Sequence, residues 1–182
     1  MYGRRLRVLA KLHFTPVDVA RSAARFLVDK PGTRVLDVGA GAGKFCIIGA
    51  LCTSGHFTGV EQRAYLSRIS ELHARHLGVH SAHFIHANVA DVDFSDFDAF
   101  YVFNPFSENF LLDDPLDNTV ELDRGLYARY SEYVHHHLNQ MPPGTRLATY
   151  HSFGHEVPSG YGVVKSGFEG KLKLWEMAGG VP

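Results

Sequence analysis

Apolar positions along the chain follow two alternating rhythms. In PVDVARSAARFLVD, residues 16 to 29, Val17, Val19, Ala20, Ala23, Ala24, Leu27 and Val28 fall at helical spacing. This predicts a helix with Pro16 at its first position, Thr15 as N-cap, and Pro31-Gly32 as its stop. Arg34 to Val38 then reads as a short apolar strand, and Gly43 to Leu51 as a small, buried helix. HFTGVE (56 to 61) predicts a second strand, residues 64 to 77 a helix closed by Gly78, HFIHA (83 to 87) a third strand and DAFYVFN (98 to 104) a fourth. Residues 119 to 140 predict a long helix stopped by Pro142-Pro143-Gly144, with Tyr127, Tyr130, Tyr133 and Val134 on its core face. TRLATYH reads as a fifth strand. YGVVKS and KLKLWEM alternate with period two across a glycine-containing turn, the pattern of an antiparallel hairpin.

Strands that alternate with helices require right-handed crossovers. The expected fold is therefore α/β: a doubly wound, mostly parallel sheet with helices on both faces and a C-terminal antiparallel hairpin strand. With no internal linker or repeat, residues 1 to 182 are expected to form one domain, preceded by a basic arm over 1 to 15 that holds Arg4, Arg5, Arg7 and Lys11.

Composition narrows the function classes. A chain of 182 residues that is 45% apolar can bury a sizeable core. A net charge of −1 argues against grip on nucleic acid through an overall basic surface, while leaving room for a locally basic site. Cys46 and Cys52 are too few for a disulfide framework and wrongly spaced for zinc, which points to a reducing, cytoplasmic setting. No apolar run approaches ~18 residues, so no membrane span is expected. The N-terminus has no continuous apolar core, so no secretory signal is expected; its basic, acid-free character leaves a transit peptide as the other reading. His135, His136 and His137 point in different directions on a helix and read as a solvated face. No metal is expected.

The chemistry concentrates in VLDVGAGAGKF, residues 35 to 45. A P-loop requires Gly-Lys-Ser/Thr, but Phe45 follows Lys44, and Val38 stands where the first glycine belongs. The dinucleotide fingerprint requires a third glycine where Lys44 stands, which weakens that reading. What remains is Asp37-x-Gly39-x-Gly41-x-Gly43 behind an apolar strand. Glu61 closes the second strand, where a carboxylate can accept both hydroxyls of a ribose.

This series resembles motif I of class I S-adenosylmethionine-dependent methyltransferases. The resemblance implies S-adenosyl-L-methionine as cofactor, with Gly39, Gly41 and Gly43 letting the loop approach its amino-acid and ribose parts. It implies Asp37 near the ligand's cationic end and Glu61, followed by Gln62, at the ribose. It places Asn88, with Asp91 as second candidate, at the adenine amino group and the Val89 amide at a ring nitrogen. Phe14-Thr15-Pro16 is similar to a segment that folds over the cofactor carboxylate. Asn104-Pro105-Phe106, ending the fourth strand, resembles the Asn/Asp-Pro-Pro-Tyr/Phe motif of amino-methyltransferases without its second proline. Asn104 and the Pro105 carbonyl would align a nitrogen acceptor against the cofactor, and Phe106 would shape the pocket. His151 and Phe153 lie on the edge expected to meet substrate. The expected activity is N-methylation of a protein side chain or other amino acceptor. Alternatives are a nucleic-acid amino group, contacted by the basic arm, and a non-catalytic subunit that keeps the fold.

Overall fold

The computed structural model describes residues 15–109, 117–152 and 154–179. Phe14, the basic arm before Thr15, and Phe153 lie outside the described residues. Five strands run parallel: β1 (Arg34–Val38), β2 (His56–Glu61), β3 (Ala82–His86), β4 (Ala99–Val102) and β5 (Arg146–Tyr150). β6 (Tyr161–Gly167) and β7 (Leu172–Met177) form the antiparallel hairpin, and β7 inserts beside β5. The order across the sheet is β3-β2-β1-β4-β5-β7-β6.

The period of two along β1 builds both cores. Val35 packs with α1 (Val17–Leu27), α2 (Lys44–Cys52) and α3 (Ala64–His76) on one face. Leu36 and Val38 pack on the other face with Tyr130, Val134 and Leu138 of α4 (Arg124–Asn139). β1 and β4 are buried along nearly their whole length, as strands covered on both faces must be. The strand order reverses between β1 and β4, and both direct their carboxyl-end loops to one edge, where open α/β sheets bind ligands.

Several boundaries differ from the periodic reading. Pro16, with ψ 148°, is itself the N-cap of α1, and its carbonyl accepts the Ala20 amide. The Thr15 hydroxyl does not cap the helix; it lies 2.9 Å from the Tyr101 hydroxyl, buried against β4. β4 ends at Val102, because Asn104 turns the chain with φ 39°. α4 starts at Arg124, where the Asp123 carboxylate accepts the Gly125 amide at 2.7 Å. Single 3₁₀ turns at Val89–Asp91, Phe94–Asp96 and Ser107–Asn109 carry no periodic signal in the sequence. Cys46 is a buried packing residue and Cys52 is half-buried, both free thiols. His137 is not simply solvated: its ring lies 4.3 Å from that of Tyr133 and 5.3 Å from that of Phe94. Among the described residues no helix is long and apolar enough to cross a membrane, and no side-chain cluster can hold a metal ion.

Candidate active site

The glycine loop is tied down on three sides. The Gly39 and Ala40 amides donate to the Val60 carbonyl at 3.1 and 2.9 Å, which latches the loop to the end of β2. The Ser70 hydroxyl on α3 donates to the Gly41 carbonyl at 3.1 Å. The Gly41 amide donates to Glu61 Oε2 at 2.9 Å. Gly39 and Gly41 sit at φ 77° and 55°, a region open to glycine at no steric cost. Gly43, at φ 75°, serves the packing instead. It is the left-handed N-cap of α2, and a Cβ there would stand 2.6 Å from the Phe84 ring and 2.7 Å from Ser70.

Glu61 is only 6% exposed, and both carboxylate oxygens are engaged. Oε2 takes the Gly41 amide and Oε1 the Arg63 amide at 2.8 Å. Burial raises its pKa above the usual carboxylate value, against the pull of those two amides and of the Arg63 charge. Each oxygen keeps a second lone pair, so the carboxylate can still accept hydroxyls from a ligand.

A cavity of about 290 Å³ opens at this edge. Its floor is Gly39, Gly41 and Val60; Glu61, Gln62 and Arg63 form one rim, and Ala87, Asn88 and Val89 another. Leu66, Phe103, Asn104, Pro105, Phe106, Ser107, Glu108 and Tyr130 complete the wall. Apolar side chains beside a few convergent polar groups are the usual make-up of a small-molecule site. The cavity thus gathers Gly39, Gly41, Glu61, Gln62, Asn88, Val89, Asn104, Pro105 and Phe106 from four separate loops.

Asp37 and Gly43 do not line it. Asp37 lies beneath the loop, 3% exposed, with the Cys46 thiol donating to Oδ2 at 3.4 Å. Burial pushes this carboxyl up to about 7; the Cys46 contact works against the rise, and the Glu61 charge adds to it. Asn88 caps the Val89–Asp91 turn: its Oδ1 accepts the Ala90 amide at 3.0 Å, and its Nδ2 donates to the Tyr130 hydroxyl at 2.6 Å. One lone pair of Oδ1 remains for a ligand amino group. Asp91 is exposed and outside the cavity. His151 is exposed, with its ring 4.5 Å from that of Tyr150 and 6.1 Å from that of Phe103.

Asn104 carries the site's backbone anomaly. A non-glycine residue at φ 39° costs energy and is held there by its surroundings. Its carbonyl accepts from the Ser107 hydroxyl at 3.1 Å and lies 3.4 Å from the Ser107 amide. Phe106, 8% exposed, packs its ring 5.4 Å from that of Tyr130.

Several cavity residues escaped the sequence reading, Tyr130 and Arg63 among them. Tyr130 reads as plain core by its helical spacing, yet its hydroxyl holds Asn88. Arg63 reads as a loop residue, yet it is 4% exposed and paired with Glu108 at 2.9 Å and Asp117 at 3.2 Å. No local pattern marks either one, because their partners are 42 to 54 residues away.

The cavity fits S-adenosylmethionine. Two positive-φ glycines line it, the Glu61 carboxylate bonded to the glycine loop keeps free lone pairs for hydroxyls, and Val60, Leu66 and Val89 add apolar lining.

Comparison with known proteins agrees. Residues 29–123 match the family model described as a methyltransferase domain. No curated protein matches the chain in sequence. Among solved structures, an RNA methyltransferase from Salinibacter ruber in complex with S-adenosyl-L-homocysteine is similar at TM-score 0.62 and 19% identity, covering 92% of this chain and 95% of its own. TrmN from Thermus thermophilus is similar at TM-score 0.64 and 18% identity, over 95% of this chain. A geranyl diphosphate methyltransferase in complex with SAM is similar at TM-score 0.54 and 18% identity, over 82% of this chain. The chain spans only about half the length of these last two, 51% and 54%. With its family model matched over more than half its length and its seven-stranded sheet ending in a reversed hairpin, the chain belongs to the class I S-adenosylmethionine-dependent methyltransferases.

Proposed function

We propose that this methyltransferase acts on an amino nitrogen, with Asn104, Pro105 and Phe106 as its acceptor site. The observation that carries this reading is Asn104. It leaves β4 in a left-handed conformation and shares a cavity with Gly39, Gly41 and Glu61. Strain of this kind persists where a side chain or carbonyl must be aimed.

S-adenosylmethionine supplies the activated methyl group. The chain supplies position and dryness. Glu61 would accept the ribose hydroxyls, with Gln62 beside it, while Asn88 and the Val89 amide would meet the adenine edge. Gly39 and Gly41 would lie under the amino-acid part. Asp37 would act from below the loop as a buried carboxyl group near the ligand's cationic end, and Gly43 by shaping α2. Phe14 and Thr15 would cover the cofactor carboxylate; the buried hydrogen bond of Thr15 to Tyr101 supports an anchored position for Thr15. The Asn104 side chain and the Pro105 carbonyl would accept hydrogen bonds from the acceptor amine and point its lone pair at the methyl group. Phe106 would wall the acceptor, braced by Tyr130.

Two acceptor classes have support. The balanced net charge favours a protein side chain. The similar Salinibacter ruber protein is called an RNA methyltransferase, and it matches 92% of this chain, which supports RNA as an acceptor class. The fold by itself favours neither. Transfer of labelled methyl into a cell lysate, sorted into protein, nucleic acid and small molecules, tests the reading. Label in an amino group is the expected result; label on oxygen or carbon would overturn it.

A further inference from the structure

The residues that would face the cofactor and those that would face the acceptor sit on different loops, and the Arg63 side chain bridges two of them. Arg63 begins the turn into α3, and its backbone amide donates to Glu61 Oε1. Its guanidinium then reaches across the cavity rim. Nη1 lies 2.9 Å from Glu108 in the Ser107–Asn109 turn, and Nε donates to Asp117 at 3.2 Å. That turn is bonded back to Asn104, whose carbonyl accepts the Ser107 hydroxyl. Asp117 is fixed in turn by the Thr119 amide at 2.8 Å and by Tyr65. The other end of the turn is anchored beside α4, since Asn109 Oδ1 accepts the Asp123 amide at 3.3 Å.

A buried guanidinium between two carboxylates is not a surface ion pair. At 4% exposure it is shielded from solvent, and Glu108 and Asp117 are only 17% and 15% exposed. Burial alone would lower the guanidinium pKa, but the two carboxylates more than offset it. Removing one partner of such a group leaves charges without compensation. The forked donor geometry of arginine also fixes direction as well as distance, which a lysine cannot do.

Building on the proposed acceptor role of Asn104, we propose that Arg63 is a positioning residue that holds the Asn104–Glu108 turn in register with Glu61. Occupation of the cofactor site is then felt at the acceptor turn through the Arg63 side chain, beside the direct packing of Gly39 on Pro105. The test uses the full chain and S-adenosylhomocysteine, with binding read by calorimetry and hydrogen exchange read over residues 39–43 and 104–109. In the wild type, the ligand slows exchange in both segments. In Arg63→Met, and in Arg63→Met/Glu108→Gln/Asp117→Asn, which removes the whole charge cluster, segment 39–43 remains protected. Protection of 104–109 falls by ~10-fold, a typical coupling between sites. Arg63→Lys restores part of it. If 104–109 is protected equally in the wild type and the triple variant, the inference is overturned while the cofactor site stands. If the wild type binds no S-adenosylhomocysteine, the cofactor assignments fail first and the inference with them.

Discussion

Gly39 and Pro105 pack so closely that a Cβ on Gly39 would stand 2.6 Å from the Pro105 Cβ. The glycine loop and the Asn104–Phe106 turn are thus in direct contact, and the absence of a side chain at Gly39 permits it. Gly39→Ala is expected to push the turn away and to strain the backbone at φ 77°. The strain alone costs ~1–2 kcal/mol. S-adenosylhomocysteine affinity should fall at least ~10-fold, about 1.4 kcal/mol, and Gly39→Val should abolish it. Calorimetry on folded protein decides; unchanged affinity would show that the loop can give way.

Glu61 ties the glycine loop to the end of β2 through the Gly41 and Arg63 amides. Glu61→Ala is expected to weaken the cofactor by ~2–3 kcal/mol, the loss of a charged acceptor. It also leaves the Gly41 and Arg63 amides unpaired, so stability should drop by a further ~1–3 kcal/mol. Glu61→Gln keeps an acceptor and should recover part of the stability. Urea denaturation of both variants beside a cofactor titration separates the two effects.

Asn104 can be split into side chain and backbone. Asn104→Gly tolerates φ 39° and removes only the amide group. Single-turnover methyl transfer should fall by ~10²-fold, about 2.7 kcal/mol, with cofactor affinity nearly unchanged. Asn104→Ala should lose the same rate and also some thermal stability, because alanine resists this conformation. Equal turnover in wild type and glycine variant would remove Asn104 from the reaction.

Asp37 gives the fold a pH dependence of defined sign. Its folded pKa is raised to about 7, above an unfolded value near ~3.9. Between these values the folded chain holds a proton that the unfolded chain has lost. Stability therefore falls as pH rises through this window, by up to about 4 kcal/mol from this group. Asp37→Asn should flatten that slope. Denaturation midpoints at pH 5 and pH 8 check it; parallel behaviour of wild type and variant would show another group to be responsible.

Tyr130→Phe removes the hydroxyl that holds Asn88 Nδ2 at 2.6 Å and leaves the ring in place. Stability should change by only ~1 kcal/mol. Cofactor affinity should fall more than acceptor-site packing, because the Asn88 carboxamide becomes free to rotate. A variant that binds S-adenosylhomocysteine like the wild type would confine Tyr130 to a packing role.

Sequence alone determined the order of elements, the parallel sheet and its reversed tail, and the glycine loop between β1 and α2. These are local properties: alternation, helical spacing, and glycines where the chain must turn with positive φ. They also placed Glu61 and Asn104 at strand ends, where topology sends ligands. Tertiary structure decided the partners. Thr15 forgoes its cap for a tyrosine 86 positions away, and Asp37 sits under the loop against Cys46 rather than in the cavity. Arg63 finds its carboxylates 45 and 54 positions along the chain, and Tyr130 finds Asn88 across 42. Such pairs are set by burial and side-chain reach in the closed fold, and neither leaves a periodic trace in the sequence.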